Sequence, residues 1–248
     1  MRVVAVIPAR YSSSRFPGKP LADICGRPMV WWVYNEALKV KEFDDVIVAT
    51  ESQFMKDECD RLSMHTMLTS DEHTTGTDRV AEVAQKIKAD IYVIIMGDEP
   101  MITCNDEFKL LSAAINNSEV DAVMLTEMFT QPVDLINMTT IKLAINDKGY
   151  LIFMSRAAIP YPKEAIGYSF YKNVGCYALR KDGLDFFLKT KPGNIERAEG
   201  IELLRLIENH RKILTVPIES KSMAVDTEKD LERIRVEFRR QGKIFAWS

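Results

Sequence analysis

Two acidic residues stand where acids pack poorly and where a cation is well held. Asp98 follows the apolar run IYVIIM at 91–96, in Gly97-Asp98-Glu99-Pro100, and Asp226 follows Met223-Ala224-Val225. A carboxylate emerging from the end of a buried strand suits a hard cation such as Mg²⁺, which takes one or two carboxylates plus substrate phosphates. Asp226 also fits a second role, as N-cap of a following helix. A third segment is cationic: Pro8-Ala9-Arg10-Tyr11-Ser12-Ser13-Ser14-Arg15-Phe16-Pro17-Gly18-Lys19-Pro20. Its N–H groups can cradle an anion, and Arg10, Arg15 and Lys19 offset the charge of a polyphosphate. It carries neither the GxxxxGK[ST] nor the GxGxxG pattern. In a fourth segment, 70–79, Thr75-Gly76-Thr77 lets backbone approach a flat ligand closely. There Thr77 or Asp78 can cap a helix, with Arg79 in its first turn.

These residues need a scaffold. Short β-branched runs at 3–7, 46–49 and 91–96 read as strands buried on both faces. Helical stretches at about 29–39 and 78–88 separate them, which is the rhythm of a parallel sheet with crossover helices. A strand at 120–126 extends the series. The pattern then changes: 141–145 and 150–154 predict a hairpin, 173–179 a strand, 195–209 a helix, 213–216 a strand and 227–240 a charged amphipathic helix. On the 195–209 helix, Glu196, Glu199, Glu202 and Arg205 fall on one stripe. We expect a single domain over 1–248. Residues 1–130 plus the C-terminal part form its main portion, and about 131–190 an inserted β-rich lobe. In an open sheet of this kind ligands bind beyond the carboxyl ends of the strands, where the cationic loop and Asp98 fall.

Composition narrows the class. Lys and Arg total 33 against 36 Asp and Glu, a net charge of -3, which disfavours a nucleic-acid binder. Cys25, Cys59, Cys104 and Cys176 are scattered without CxxC spacing, so neither a zinc box nor a disulfide framework is expected. No apolar run reaches the length of a membrane span, and MRVVAVIPAR is too short for a signal peptide. A cytoplasmic protein is the expectation. Trp31-Trp32 suits either an interface or the core.

Together the motifs carry a resemblance. R-x-S-S-S-R-F-P-G-K-P-L after an N-terminal strand, then Ser70–Arg79, Gly97-Asp98-Glu99-Pro100, Ser155-Arg156-Ala157, Asn173-Val174-Gly175-Cys176-Tyr177 and Val225-Asp226-Thr227 resemble the CMP-Kdo synthetases, the 3-deoxy-manno-octulosonate cytidylyltransferases. The resemblance implies an α/β, Rossmann-like GT-A-type nucleotidyltransferase with a mixed, mostly parallel sheet flanked by helices. It implies transfer of CMP from CTP to a Kdo-like sugar acid with release of pyrophosphate, Mg²⁺ on Asp98 and Asp226, and a homodimer. It assigns catalysis to Lys19, Asp98 and Asp226. The nucleotide goes to Ala9, Arg10, Ser13, Arg15, Lys19, Thr75, Gly76 and Arg79. The acceptor goes to Met96, Arg156, Asn173, Tyr177, Glu199 and Glu202.

Two positions depart from the family pattern: Met96 stands where Gln is usual before Gly-Asp-Glu-Pro, and Asn173 where His is usual before x-Gly. Methionine cannot hydrogen-bond as glutamine does, so the pocket satisfies a different set of acceptor groups. Another acid, phosphate or phosphonate acceptor is the alternative within the same chemistry. A GT-A glycosyltransferase is the alternative outside it, and it lacks the expected D-x-D here.

Overall fold

The computed structural model describes residues 1–12, 16–73, 75–164 and 167–245, with Pro132 described by its backbone alone. In chain order the elements are β1 (Val3–Pro8), β2 (Asp23–Ile24), β3 (Arg27–Pro28), α1 (Met29–Ala37), β4 (Asp45–Thr50), α2 (Gln53–Arg61) and β5 (Thr66–Leu68). Then come α3 (Gly76–Lys86), β6 (Ile91–Ile95), α4 (Cys104–Asn116), β7 (Ala122–Met128), β8 (Lys142–Ile145) and β9 (Leu151–Ser155). The last are β10 (Tyr171–Arg180), α5 (Lys181–Lys189), α6 (Asn194–Glu199), α7 (Leu204–Glu208), β11 (Ile213–Pro217) and α8 (Glu228–Arg240).

The main sheet runs β11-β7-β10-β6-β1-β4-β5. β1 pairs in parallel with β4 and β6, β4 with β5, and β7 with β11. β10 is antiparallel to both β6 and β7, so the sheet is mixed and mostly parallel. Every residue of β1 and β6 is buried, which is why VVAVIP and IYVII read as unbroken apolar runs rather than alternating ones. Helices cover both faces, and one core cluster lies on each side. Within 131–190, the hairpin β8–β9 stands off the sheet's main path while β10 runs through its centre.

The predicted helix over 195–209 is two short helices. Gly200 adopts the left-handed conformation (φ 63°) and ends α6, and α7 restarts at Leu204. The apolar periodicity continued across the break because Ile201 and Leu203 are buried in the turn itself. The single acidic stripe expected there does not form.

A third cluster ties the C-terminus to the N-terminal third. Ile24, Met29 and Trp32 pack against Val225, Leu231, Ile234 and Phe238. Trp32 is core: its indole N–H donates to the Ile24 carbonyl at 2.8 Å and its ring meets Phe238 edge-on. α8 is thereby seated on α1, and the residue just before α8 is brought to the sheet's carboxyl edge.

Candidate functional site

β1 and β6 are adjacent parallel strands, so the loops after them emerge side by side. A cleft of about 730 Å³ opens there, lined by Ala9, Arg10, Lys19, Arg79, Met96 and Asp98 among others. A second cleft of about 280 Å³ adjoins it, lined by Glu99, Glu127, Asn137, Lys172, Asn173 and Asp226 among others.

The two meet at a cation held between two acids. Lys19 lies in a 3₁₀ turn (Lys19–Leu21) entered through Gly18 at φ 72°, a left-handed conformation that glycine adopts without strain. Its ammonium donates to Asp98 Oδ2 at 2.6 Å and to the Val225 carbonyl at 2.8 Å, and lies 3.9 Å from Asp226 Oδ1. The backbone fixes the convergence, because Val225 N–H donates to the Asp98 carbonyl at 2.9 Å. The capping role considered for Asp226 belongs to its neighbours. Thr227 is the N-cap of α8 and closes a capping box with Asp230. The Asp226 carboxylate is left to face Lys19. Two hard oxygen donors converging on one positive charge fit Mg²⁺, which completes its shell with phosphate and water. Among the described residues no group of three or more metal-ligating side chains occurs.

Of the nucleotide-side assignments, Ala9, Arg10, Lys19, Gly76 and Arg79 line the larger cleft, and Thr75 does not. Ala9 and Arg10 follow β1, and Gly76 opens α3. A Cβ on Gly76 would touch Pro8 and Met96 at 3.4 and 3.5 Å. The helix cap is Thr75, not Thr77 or Asp78: its hydroxyl accepts from Asp78 N–H while Asp78 answers on Thr75 N–H. Thr77 is the second residue of α3 and bonds the Tyr177 hydroxyl. Arg79 is almost wholly buried and held by Thr69, the Ser70 carbonyl and Glu51, with its Nε unpaired. Burial lowers its pKa, against the pull of Glu51. Ser13 and Arg15 lie outside the described residues. His73 is a partner of Glu82 at 2.8 Å.

The acceptor-side assignments divide. Met96 lines the nucleotide cleft and Asn173 the smaller one, where its Oδ1 is buried and unpaired. Arg156, Tyr177, Glu199 and Glu202 line neither cleft. The Tyr177 hydroxyl donates to Glu202, whose other oxygen accepts from Thr77 N–H at 3.2 Å, so the pair braces the start of α3. Glu199 takes the Ser155 hydroxyl and Arg156 N–H. The Arg156 guanidinium donates to the carbonyls of Glu199, Met138 and Thr139. Glu196 and Arg205 form a buried two-pronged pair at 2.6 and 2.8 Å.

Two residues, Glu51 and Lys172, were missed by sequence reasoning, and a third, Glu99, was visible only as a neighbour of Asp98 in its motif. Glu51, just after β4, accepts from Tyr11 N–H, Ser12 N–H and the Ser12 hydroxyl, and so holds the cationic loop. Burial alone would raise its carboxyl, but these bonds and Arg79 hold it below the usual range. An acid at the carboxyl end of a strand was the available signal. Glu99 is buried against Gly175 N–H and the Ser222 hydroxyl. Burial pushes it up to about 7, with Asp98 adding to the rise. Lys172, paired with Glu127 at 3.0 Å, completes that wall and gave no sequence signal of its own.

A family model described as cytidylyltransferase matches residues 4–213. The chain is 36% identical to 3-deoxy-manno-octulosonate cytidylyltransferase of Escherichia coli, over 94% of this chain and 95% of that one. It is 38% identical to the protein of the same name from Koribacter versatilis, over 94% and 89%. A solved structure of CMP:2-keto-3-deoxy-manno-octonic acid synthetase complexed with CTP superposes with a TM-score of 0.92 at 35% identity, covering 97% of this chain and all of that one.

Proposed function

The chain belongs to the cytidylyltransferase family, among the 3-deoxy-manno-octulosonate cytidylyltransferases, and from that premise we propose that it transfers CMP from CTP to 3-deoxy-manno-octulosonate (Kdo) and releases pyrophosphate. The observation that carries this reading is the convergence of Asp98, Asp226 and Lys19 where a nucleotide-sized cleft meets a second, polar one.

The reaction needs no protein nucleophile. An acceptor hydroxyl attacks the α-phosphorus in line, and the chain's work is to position both substrates and neutralise charge. Arg10 and Lys19 face the phosphates, while Gly76 and Arg79 take the base end of the cleft. Asp98 and Asp226 would hold Mg²⁺, which neutralises the triphosphate when bound. The second cleft receives the acceptor, with Asn173 and Lys172 in its wall. Four free cysteines support a reducing, cytoplasmic setting, and the activated sugar would serve lipopolysaccharide synthesis. Val133, Ile136, Met138, Ile152 and Tyr161 leave much apolar surface exposed around 133–161, which supports a homodimer through that lobe. Light scattering reads that state directly.

The test is pyrophosphate release across CTP and UTP, Kdo and a panel of acid, phosphate and phosphonate acceptors, with and without Mg²⁺. The expected result is turnover with CTP, Kdo and Mg²⁺ together. Turnover with a different acceptor and none with Kdo would overturn the assignment.

A further inference from the structure

Lys142 is among the largest side chains with no exposure to solvent, and the chemistry above does not use it. A buried ammonium is costly unless its donors are matched. Here all three are: Nζ donates to the carbonyls of Asn137 at 2.6 Å, Thr140 at 2.9 Å and Arg156 at 2.6 Å. With every N–H engaged by a carbonyl, the group is no nucleophile and no proton carrier; it is an anchor. Arg156 works alongside it, because its Nη1 takes the carbonyls of Met138 and Thr139. Four consecutive carbonyls, 137 to 140, are therefore turned onto two cations of the β8–β9 hairpin. The same stretch is held from its far side, where Asn173 N–H donates to the Ile141 carbonyl at 2.9 Å.

That stretch is a wall of the smaller cleft, which Asn137, Thr139, Thr140 and Ile141 line together with Lys172 and Asn173. A segment without helix or strand hydrogen bonds has little to fix it, and the cations supply what the backbone ladder does not. We propose that Lys142 is a positioning residue for the acceptor: a buried charge that fixes the 137–141 wall, and through it the cleft that the acceptor enters. The inference rests on the acceptor reading given above. It names a residue that touches neither substrate.

The test compares Lys142→Met with the wild-type enzyme by steady-state kinetics in CTP and in acceptor separately, and by hydrogen exchange of the free protein. A tenfold or larger rise in acceptor KM is expected, with CTP KM within twofold and faster exchange at 137–141 while β1 and β6 stay protected. Lys142→Gln keeps two donors; it serves if the Met variant does not fold, and shifts the same quantities less. An unchanged acceptor KM, or CTP and acceptor KM rising together, overturns the proposal. Because exchange is read without any substrate, it separates this claim from the choice of acceptor. Slow exchange at 137–141 in the variant refutes the anchor, whereas no turnover of Kdo by the wild-type enzyme refutes the acceptor assignment.

Discussion

Asp226→Asn isolates the contribution of the second acid. The substitution keeps size and shape, turns one acceptor oxygen into an NH₂ donor, and removes one charge 3.9 Å from the Lys19 ammonium. At an effective dielectric near 20, a unit pair at that distance is worth about 4 kcal/mol. The Asp226 side chain is 30% exposed, so water screens roughly half, leaving about 2 kcal/mol. A doubly charged ion gains about twice as much. Transition-state stabilisation falling by about 2 to 4 kcal/mol lowers turnover roughly 30- to 1000-fold. The assay is pyrophosphate release titrated with Mg²⁺: Asp226→Asn should need more Mg²⁺ for half-saturation and turn over more slowly at saturation. Thr227→Ala is the control, because it strikes the α8 cap one residue away. It should cost about 1 kcal/mol of stability and leave the Mg²⁺ titration unchanged. Wild-type Mg²⁺ half-saturation and turnover in Asp226→Asn would refute the shared-cation argument.

Three other outcomes follow from the geometry. Gly175→Ala places a methyl 2.8 Å from Glu99 Cγ and 3.1 Å from Met96 Cβ, both hemmed in, so about 1–3 kcal/mol of stability and most acceptor turnover should be lost; a crystal structure of the variant should show Glu99 displaced, and an unmoved Glu99 contradicts this. Arg79→Lys exchanges a buried fork for a point charge, and should raise CTP KM at least tenfold with acceptor KM little changed; equal shifts in both would be the failing result. Glu107 is fully buried with both carboxyl oxygens unpaired, and burial, Glu36 and Asp106 push its pKa well above the ordinary value. The folded chain then holds a proton that the unfolded chain releases, so stability from this source is whole below the ordinary glutamate range and is lost as pH rises. Glu107→Leu should add about 1–3 kcal/mol at pH 8, some 2–4 °C in Tm per kcal/mol, and flatten the decline with pH; a Tm at or below wild type at pH 8 counts against it.

The legible parts of the molecule were those whose physics is local. β1 and β6 announced themselves because burial on both faces demands unbroken apolar runs, and Asp98 stood out against that background. The cationic loop and the Thr75 region were visible as short motifs. Illegible features depend on who meets whom in space. Glu196 and Arg205 sit nine positions apart, and on a continuous helix would have looked like a solvated stripe; only the turn at Gly200 folds them into a buried pair. Tyr177 and Glu202 were assigned to the acceptor, and their bonds to each other and to Thr77 at the start of α3 gave no signal in the sequence. Lys142 reads as an ordinary strand lysine until the carbonyls of Asn137, Thr140 and Arg156 close around it. Asp226 was ambiguous because a carboxylate before a helix suits two jobs, and Thr227 decides between them by taking one.

The hydrogen bond from Val225 to Asp98 spans more than half the chain, and it rests on α8 being docked through Phe238 and Trp32. Competence therefore arrives late in the life of each molecule. During synthesis β1, β4 and β5 can pair long before α8 leaves the ribosome, but the seat shared by the two aspartates has only one side until then. A chain clipped ahead of α8 keeps its strands but loses the docking that holds Val225 against Asp98.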